Sequence, residues 1–451
     1  MVLSFTLRKS TAETGSALTS TCRRGTLNLS QPGSVKSMPT PNFFAYTSRG
    51  SVPHLTTDNL KALNLPAIQL NLEQFFEEGD LASRDYPHGI KKYLNLQDYI
   101  VLCDLRDPIK IVPASFNTDT YVSTTSHGGV RKVTQDAWVS TINLYEPDIA
   151  AGMADFVLDQ EPSKRRNQKS LQRTDNWLTD LLERKKPHIN VFASVVGSVH
   201  KDDRERAANL SASHNVQGYV LNMLGQGVSP QKRVELMSLS LQHLPEDKPR
   251  VTYGLGSPEE ILLAISNGMD MFDGSYPYII TDRGCASLYT LREPVPPSTI
   301  TDPTDTTPLN GHGPLQSLND TDSESSFTST MYNDPTIINL GDKKYQRDFR
   351  PLMPDCECYA CQTNSRAYIH HLLEAHEMLA SVLLMTHNLW TYKRFFEDVR
   401  SSIDEGMFGR DCEAFWKAVD FDATKTYKEM EAKMEGIRLV SDKVTKKFRS
   451  L

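Results

Sequence analysis

The chain has 451 residues, of which 39% are hydrophobic, and its mean hydropathy is −0.44. These values are typical of a globular protein with one large core and a smaller subdomain, and no apolar run approaches the ~20 residues that cross a bilayer. The net charge of −7 argues against a chain that grips RNA through a generally basic surface, so any RNA contact must be local or shared with a partner.

The segment Met1–Arg24 is rich in Ser, Thr, Arg and Lys and contains few acids. This composition is typical of a mitochondrial transit peptide. The same region contains the apolar stretch Phe5-Thr-Leu7, and Leu27 follows shortly after it. The start of a folded domain is therefore the competing interpretation.

The middle of the chain alternates strand and helix patterns in units of about 30 residues, which indicates a parallel sheet with right-handed crossovers. The number of units favours a (β/α)8 TIM barrel, an α/β fold, and a doubly wound open sheet is the alternative. The predicted strands are Val191–Val196, Gly218–Leu224, Arg250–Gly254 and Met269–Asp273. The predicted helices are Asp202–Ala212, Pro230–His243 and Ser257–Asn267, the last with Ser257 as its N-cap.

Barrel enzymes place their chemistry at the carboxyl ends of the strands. The positions that the pattern places there are Asp159, Val196, Asn222–Gly225, Gly254 and Asp273.

Four parts follow from changes in composition. Residues 1–293 form the predicted barrel. Residues 294–335 are an acidic insert rich in Ser, Thr and Pro, which we expect to be disordered because it has too few apolar side chains to offset its ordering entropy. Residues 336–410 contain a cysteine cluster, a helical stretch and the final barrel element, and residues 411–451 form a helical, basic tail.

The helical stretch Arg366–Arg400 has apolar residues at helical spacing. Its aromatic residues are expected in a core or an interface, and they are Trp390, Tyr392, Phe395 and Phe396. Two basic groups stand out elsewhere, and charge runs of this kind are usually solvated faces. They are Lys164, Arg165, Arg166, Lys169 and Arg173, and in the tail Lys443, Lys446, Lys447 and Arg449.

Cys356, Cys358 and Cys361 form a C-x-C-x-x-C cluster on a polar segment. Three thiolates with one imidazole are a natural tetrahedral set for zinc, and four protein ligands leave no position for a catalytic water. A structural Zn2+ is therefore expected. The chemistry alone leaves the fourth ligand open, and the candidates are His370, His371, His376 and His387. The other four of the seven cysteines are scattered, which suits a reducing compartment.

The stretch Asp355-Cys-Glu-Cys-Tyr-Ala-Cys361, with Ser365–Leu373 and Thr386-His-Asn-Leu389 after it, resembles the zinc subdomain of tRNA-guanine transglycosylases. Weaker matches run in order along nearly the whole chain, and they include Pro39–Phe44, Arg173-Thr174, Gly268–Asp273 and Ile338–Leu340. The resemblance implies a TIM barrel with a C-terminal zinc-binding helical subdomain, and one structural Zn2+ per subunit. It favours His387 as the fourth ligand. It also matches Phe5–Leu7 and Arg23–Leu27 to opening strands, which favours a domain over a targeting signal.

Active members of that family exchange a guanine in the tRNA anticodon for queuine or a precursor base. An aspartate attacks the ribose C1′ and holds the RNA covalently, as a carboxylate nucleophile does in retaining glycosidases. The motif match places this role on Asp273. Asp159 is the match to a base-reading aspartate.

The remainder of the expected site differs from the family pattern. The family's Asp-Ser-Gly-Gly-Phe-Gln, which carries a second catalytic aspartate, has no counterpart between Leu102 and Val133. Its Val-Gln-Gly-Gly is Val195-Val-Gly-Ser198 here, and its Gly-Gly-Leu is Asn222-Met-Leu224. Its basic loop after the nucleophile is Gly274–Arg283. Val196 has no polar group for a base edge, and each unpaired edge costs about 1–3 kcal/mol.

An intact scaffold with an altered pocket resembles the non-catalytic accessory members of the family. This resemblance implies that the chain has no catalytic residue and that Asp273 is a remnant of the family's nucleophile. The partners implied are a homologous catalytic subunit, in a heterodimer, and tRNA with a GUN anticodon. The alternatives are an active transglycosylase that uses Asp273, and a tRNA-binding scaffold without a role in base exchange. The expected location is cytoplasmic, with peripheral association at the mitochondrial outer membrane.

Overall fold

The computed structural model describes residues 1–8, 21–76, 82–109, 117–126, 129–157, 162–222, 229–292 and 336–421. In chain order, the strands β1 to β15 of these residues are Val2–Leu7, Gly25–Gln31, Ser34–Thr40, Asn42–Tyr46, Ala67–Asn71, Ile100–Asp104, Tyr121–Ser126, Gly129–Thr134, Ile149–Ala151, Asn190–Val195, Gly218–Asn222, Arg250–Tyr253, Met271–Gly274, Cys285–Ser287 and Ile337–Asn339.

The helices α1 to α13 of the same residues are Thr57–Ala62, Ala82–Asp85, Gly89–Tyr93, Gln135–Tyr145, Lys164–Arg184, Lys201–Ser213, Pro230–Leu241, Pro258–Ile265, Ser275–Thr281, Tyr359–Thr363, Arg366–Glu374, Met378–Asp404 and Phe408–Ala418. Two 3-10 turns, Leu72–Phe75 and Lys343–Tyr345, stand between them. No helix in the described part of the chain is long and apolar enough to cross a membrane.

Eight parallel strands close into a barrel in the order β4, β5, β6, β9, β10, β11, β12, β13, and β13 pairs with β4 to complete the ring. Each of these strands is buried along nearly its whole length, because helices cover the outside and side chains fill the inside. The predicted TIM barrel is therefore confirmed. The four predicted strands are present with ends shifted by up to two residues, except that Met223 and Leu224 lie outside the described residues.

A three-stranded antiparallel sheet, β1-β2-β3, covers the amino-terminal end of the barrel. β3 ends at Thr40 and β4 begins at Asn42, so the sheet runs directly into the ring. Leu27, Leu29 and Met38 of the sheet are fully buried against the barrel interior. The sheet thus closes one end of the barrel and leaves the carboxyl end for a site.

The helix α12 completes the barrel wall after a long excursion of the chain. Its Tyr392 and Phe396 rings lie 4.7 Å and 5.4 Å from the ring of Phe43 in β4. Tyr392, Phe395 and Phe396 have no exposed surface, so the predicted core role of these aromatic residues is correct, and Trp390 packs at its edge.

The described residues between α9 and α12 form a smaller unit with its own apolar core, built around β14, β15, α10 and α11. The stretch 366–400 is two helices and not one. His376 adopts a left-handed backbone, with φ of 56°, and the Glu377 N–H bonds to the Leu372 carbonyl, which is how many helices end. The boundaries of the four predicted parts stay predictions, since residues 293–335 and 422–451 lie outside the described residues.

Candidate functional site

The three cysteines and His387 come together in one buried cluster. The Sγ atoms of Cys356, Cys358 and Cys361 lie 3.6 Å, 3.4 Å and 3.4 Å from His387 Nδ1. Metal–ligand distances of about 2.3 Å for sulfur and about 2.0 Å for nitrogen give ligand–ligand separations of roughly 3.6 Å in a tetrahedron. The donor set and its spacing therefore fit one tetrahedral metal ion, and this group could hold it.

The short helix α10 helps to organise the thiols. Cys358 occupies its N-cap position, and the Cys358 Sγ accepts a hydrogen bond from the Cys361 N–H at 3.4 Å. Hydrogen bonds from Cys356 and then Cys358 hold the pKa of the Cys361 thiol below its usual value. Thiolates are the form that binds metal, and the neighbouring thiols favour that form at Cys361.

Contacts behind the cluster orient His387. Its Nε2 lies 2.8 Å from the Ser287 carbonyl oxygen, so Nε2 carries the proton and Nδ1 is left to face the cysteines. The next residue, Asn388, donates to Thr281 Oγ1 and to the Cys285 carbonyl and accepts from the Ser287 N–H, at 2.8, 3.0 and 2.8 Å. These bonds tie the cluster to α9 of the barrel.

The other candidate histidines lie elsewhere. His370 is buried, but its Nδ1 bonds to the Leu340 carbonyl oxygen at 2.8 Å. His371 and His376 are exposed. The structure thus brings His387, and not these three, to the cysteines.

Asp273 lies in β13 at the carboxyl end of the barrel and has no exposed surface. Its Oδ2 accepts the Gly254 N–H at 2.8 Å, and its Oδ1 accepts both the N–H, at 3.1 Å, and the hydroxyl of Ser275. Burial raises the pKa of the carboxyl above its usual value, and these hydrogen bonds offset part of the rise. The carboxylate is therefore enclosed, with both oxygens occupied.

Tyrosine rings surround that carboxyl. Tyr253 and Tyr392 are almost completely buried, and their pKa values are raised by burial and by the carboxylates beside them, with Asp273 next to both. The ring of Tyr276 lies 6.4 Å from that of Tyr392. The Asp273 carboxyl therefore lies near two phenol rings of the buried core.

A second group of rings lies closer to solvent at the same end. Tyr278 stacks on Tyr46 at 5.3 Å and on the exposed His54 at 6.0 Å. The Tyr46 hydroxyl donates to Asp107 at 3.0 Å. Burial raises the pKa of Tyr278 to about 12, so the phenol stays neutral and the stack is a wall of uncharged rings.

Asp104 is a residue that the sequence analysis missed. It ends β6 and is 8% exposed, and burial raises the pKa of its carboxyl to about 6. The charge of Asp104 also raises the pKa of Tyr253, as the charge of Asp273 does. A second carboxyl therefore stands at the barrel mouth without the family's motif. The acid that follows the apolar run of Ile100–Cys103 was the available signal.

Asp155 follows β9 and is held in a clamp. Arg166 donates to its two carboxylate oxygens at 2.8 Å and 2.7 Å, Arg173 donates at 3.0 Å, and Asn117 donates at 2.7 Å. Such a bidentate pair is among the stronger polar contacts in proteins. The carboxylate is fully buried, and its oxygens already accept hydrogen bonds from these partners. No acceptor is left for a base.

The remaining predicted positions contribute little. Val196 lies just after β10 and is 6% exposed, Asn222 ends β11, and Gly254 donates its N–H to Asp273. Asp159 and residues 223–225 lie outside the described residues.

Comparison with known proteins agrees with this architecture. The family model described as Queuine tRNA-ribosyltransferase matches residues 19–420. Proteins named queuine tRNA-ribosyltransferase accessory subunit 2 are similar to the chain. The one from Xenopus tropicalis is 33% identical over 380 residues, which cover 82% of this chain and 91% of that protein. The one from Homo sapiens is 33% identical over 397 residues, covering 85% and 93%, and the one from Gallus gallus is 32% identical over 395 residues, covering 84% and 91%.

Proposed function

Because the chain belongs to the queuine tRNA-ribosyltransferase family, we propose that it is a non-catalytic accessory subunit of such an enzyme. Its partner is a homologous catalytic chain, and the two form a heterodimer. The pair exchanges guanine for queuine at the wobble position of tRNA with a GUN anticodon. The relatives' name, accessory subunit, supports this assignment.

The enclosure of Asp273 carries the non-catalytic role. A nucleophile must reach the ribose carbon, yet this carboxylate is fully buried and both oxygens accept hydrogen bonds. Burial also raises the pKa of this carboxyl above its usual value.

Pairing is supported by exposed apolar side chains on the smaller unit. Ten large hydrophobic residues are exposed in the described part of the chain, and five of them fall between residues 349 and 379. They are Phe349, Tyr359, Tyr368, Met378 and Leu379, with Phe349 and Met378 at 80% and 84% exposure. A contiguous patch of exposed apolar side chains indicates a protein interface, and these five residues belong to one stretch of the sequence. This set, the apolar patch, is the proposed contact with the catalytic chain.

The metal is proposed to be zinc, one ion per subunit, held by the Sγ atoms of Cys356, Cys358 and Cys361 and by His387 Nδ1. Three thiolates and an imidazole at these distances suit Zn2+ better than a hard cation, which prefers oxygen ligands. The ion would supply folding energy only, since the four side chains close its coordination shell.

The test is reconstitution. The purified chain is mixed with the catalytic homologue, and incorporation of labelled queuine or guanine into a GUN-anticodon tRNA is measured for each chain alone and for the pair. We expect exchange by the pair and none by this chain alone. If the two do not associate and exchange is the same without this chain, the accessory role is wrong.

One observation favours the alternative of an active enzyme. Asp104, with a pKa of about 6, could serve as an acid or base near neutral pH, beside a second carboxyl at Asp273. Exchange by the purified chain alone would establish that alternative, and the enclosure of Asp273 argues against it.

The location remains a proposal as well: the cytoplasm, with peripheral association at the mitochondrial outer membrane. Fractionation of cells, followed by a high-salt wash of the mitochondrial fraction, tests it. A peripheral protein is released by the wash.

A further inference from the structure

The amino-terminal half of α5 carries an unusual concentration of positive charge. Lys164, Arg165, Arg166, Lys169 and Arg173 fall within its first ten positions, and the first acid of the helix is Asp175. The whole chain has a net charge of −7, so this is a local reversal of sign.

That charge stands at the wrong end of the helix for stability. The amino-terminal end of a helix dipole is positive and favours acids, and α5 has none in its first turn. The first turn is capped by Ser163, whose hydroxyl accepts the Arg166 N–H at 3.2 Å. The helix itself therefore gains no stability from these cations.

Two of the five cations have structural partners. Arg166 binds Asp155, and Arg173 binds both Asp155 and Asp119, the latter at 2.6 Å. For Lys164, Arg165 and Lys169, no described carboxylate lies within ion-pair distance. The clamp therefore fixes the helix in place and leaves three exposed cations beside it.

The exposed cations share one face with amides. The exposed residues of this face, the basic face, are Lys164, Arg165, Gln168, Lys169, Gln172 and Asn176. They follow helical spacing, so they form a continuous strip about 18 Å long at 1.5 Å per residue. Between residues 164 and 176 the face contains three cations and three amides, while Glu183 stands on the same face further along the helix and Asp119, which pairs with Arg173, lies near Lys169. Cationic and amide side chains together are what proteins use to bind nucleic-acid phosphates.

The basic face begins at the end of the barrel that carries the candidate site. α5 starts where the chain leaves the carboxyl end of β9, and in a parallel barrel this is the end that carries Asp273. The clamp on Asp155, which also follows β9, holds the start of the helix at that rim.

We propose that the basic face binds the phosphate backbone of the RNA that the heterodimer modifies. The accessory chain then contributes to RNA binding although its own pocket performs no catalysis. This inference rests on the proposed function for the identity of the RNA. Contact through phosphates needs no base-specific groups, which fits a strip that has only cations and amides.

The experiment compares the full chain with a triple variant, Lys164→Gln, Arg165→Gln and Lys169→Gln. A matched control changes three exposed cations on other helices, Lys92→Gln, Arg206→Gln and Lys417→Gln, and alters the net charge by the same amount. Binding to a fluorescent RNA hairpin with a GUN anticodon is followed between about 50 and about 200 mM salt, for the chain alone and for the reconstituted pair.

We expect the triple variant to bind RNA about tenfold more weakly or worse, and the slope of log affinity against log salt to fall by about 2 to 3, as the loss of three phosphate contacts requires. The control should stay within about twofold of the wild type. The melting temperature of the triple variant should equal or exceed that of the wild type, because cations are removed from the positive end of the dipole.

Several results would overturn the inference: an unchanged salt slope, a fall in melting temperature, no RNA binding by either the chain or the pair, or loss of binding to phosphatidylserine-rich vesicles with RNA binding intact. The last would show that the face meets a membrane. The exchange assay separates the two proposals. If this chain supports exchange but the triple variant binds RNA as the control does, only the inference about the basic face fails.

Discussion

Replacing one metal ligand should dismantle the smaller unit and leave the barrel folded. Cys358→Ala removes a sulfur that lies 3.4 Å from His387 Nδ1 and that also caps α10. Three ligands remain, on a segment that depends on the metal to join residues 356–361 to α12. The barrel core does not include these cysteines, so the effect should be local.

The expected loss of stability follows from the binding energy that the ion contributes to folding. Structural zinc supplies about 10–16 kcal/mol of apparent binding energy in peptides that fold around it. The smaller unit has an apolar core of its own, so only part of that sum is needed for folding. The variant also leaves the two remaining buried sulfurs and the His387 imidazole with an incomplete shell, at a cost of about 1–3 kcal/mol for each unsatisfied group. Losses of this size exceed the few kcal/mol that would keep such a unit folded.

The assay measures bound metal per chain by atomic emission and pairing with the catalytic chain by gel filtration. Cys285→Ala is the matched control, because Cys285 in β14 is a buried thiol that packs in the barrel core and lies outside the cluster. We expect the control to keep its metal and its partner, and Cys358→Ala to lose both. Stoichiometric metal and normal pairing in Cys358→Ala would refute the assignment of the four ligands.

Three further outcomes are expected. Met378→Asp should abolish pairing at micromolar concentration without changing the melting temperature, since the side chain is 84% exposed, and unchanged pairing would exclude the apolar patch. The carboxyl of Asp104 has a pKa raised from 3.8 to about 6, so its contribution to stability is complete below pH 3.8 and is lost as the pH rises through 6. Asp104→Asn should therefore gain about 3 kcal/mol relative to the wild type between pH 4 and pH 8 in urea titrations, and a pH-independent difference would contradict the burial argument. Limited proteolysis should cut first within residues 294–335, and deletion of that insert should leave folding and pairing intact, since loop length changes closure entropy little. Protection of the insert would show that its composition was misinterpreted.

The barrel could be predicted because its signals are local. A parallel strand buried on both faces is a short apolar run, as in Val191–Val195, and some of these runs are followed by a helix with a recognisable start, as at Ser229 and Pro230. The cysteine spacing is equally local, and it identifies three of the four residues of the cluster without any knowledge of the fold. The donor chemistry alone could not identify His387 as the fourth ligand, because the distance between His387 and the cysteines is set by the packing of α12.

The state of the barrel mouth could not be predicted, since it depends on contacts between distant segments. The sequence shows an aspartate at position 273, but the N–H that holds it comes from Gly254, and a buried ring on which its charge acts, Tyr392, comes from α12. Asp104 was missed for a related reason. Its motif is absent, and its raised pKa arises from burial, which is a property of the assembled barrel.

The central claim is that this chain assists exchange without performing it, and Asp273→Asn in the reconstituted pair tests it most directly. The substitution keeps the size of the side chain, and the melting temperature of the variant checks that the buried hydrogen bonds tolerate it. We expect the rate of labelled-base exchange by the pair to be unchanged. The matching substitution in the catalytic partner should abolish it. Loss of exchange with Asp273→Asn at an unchanged melting temperature, or a covalent tRNA adduct trapped on Asp273, would contradict the claim, because an enclosed carboxylate cannot reach the ribose.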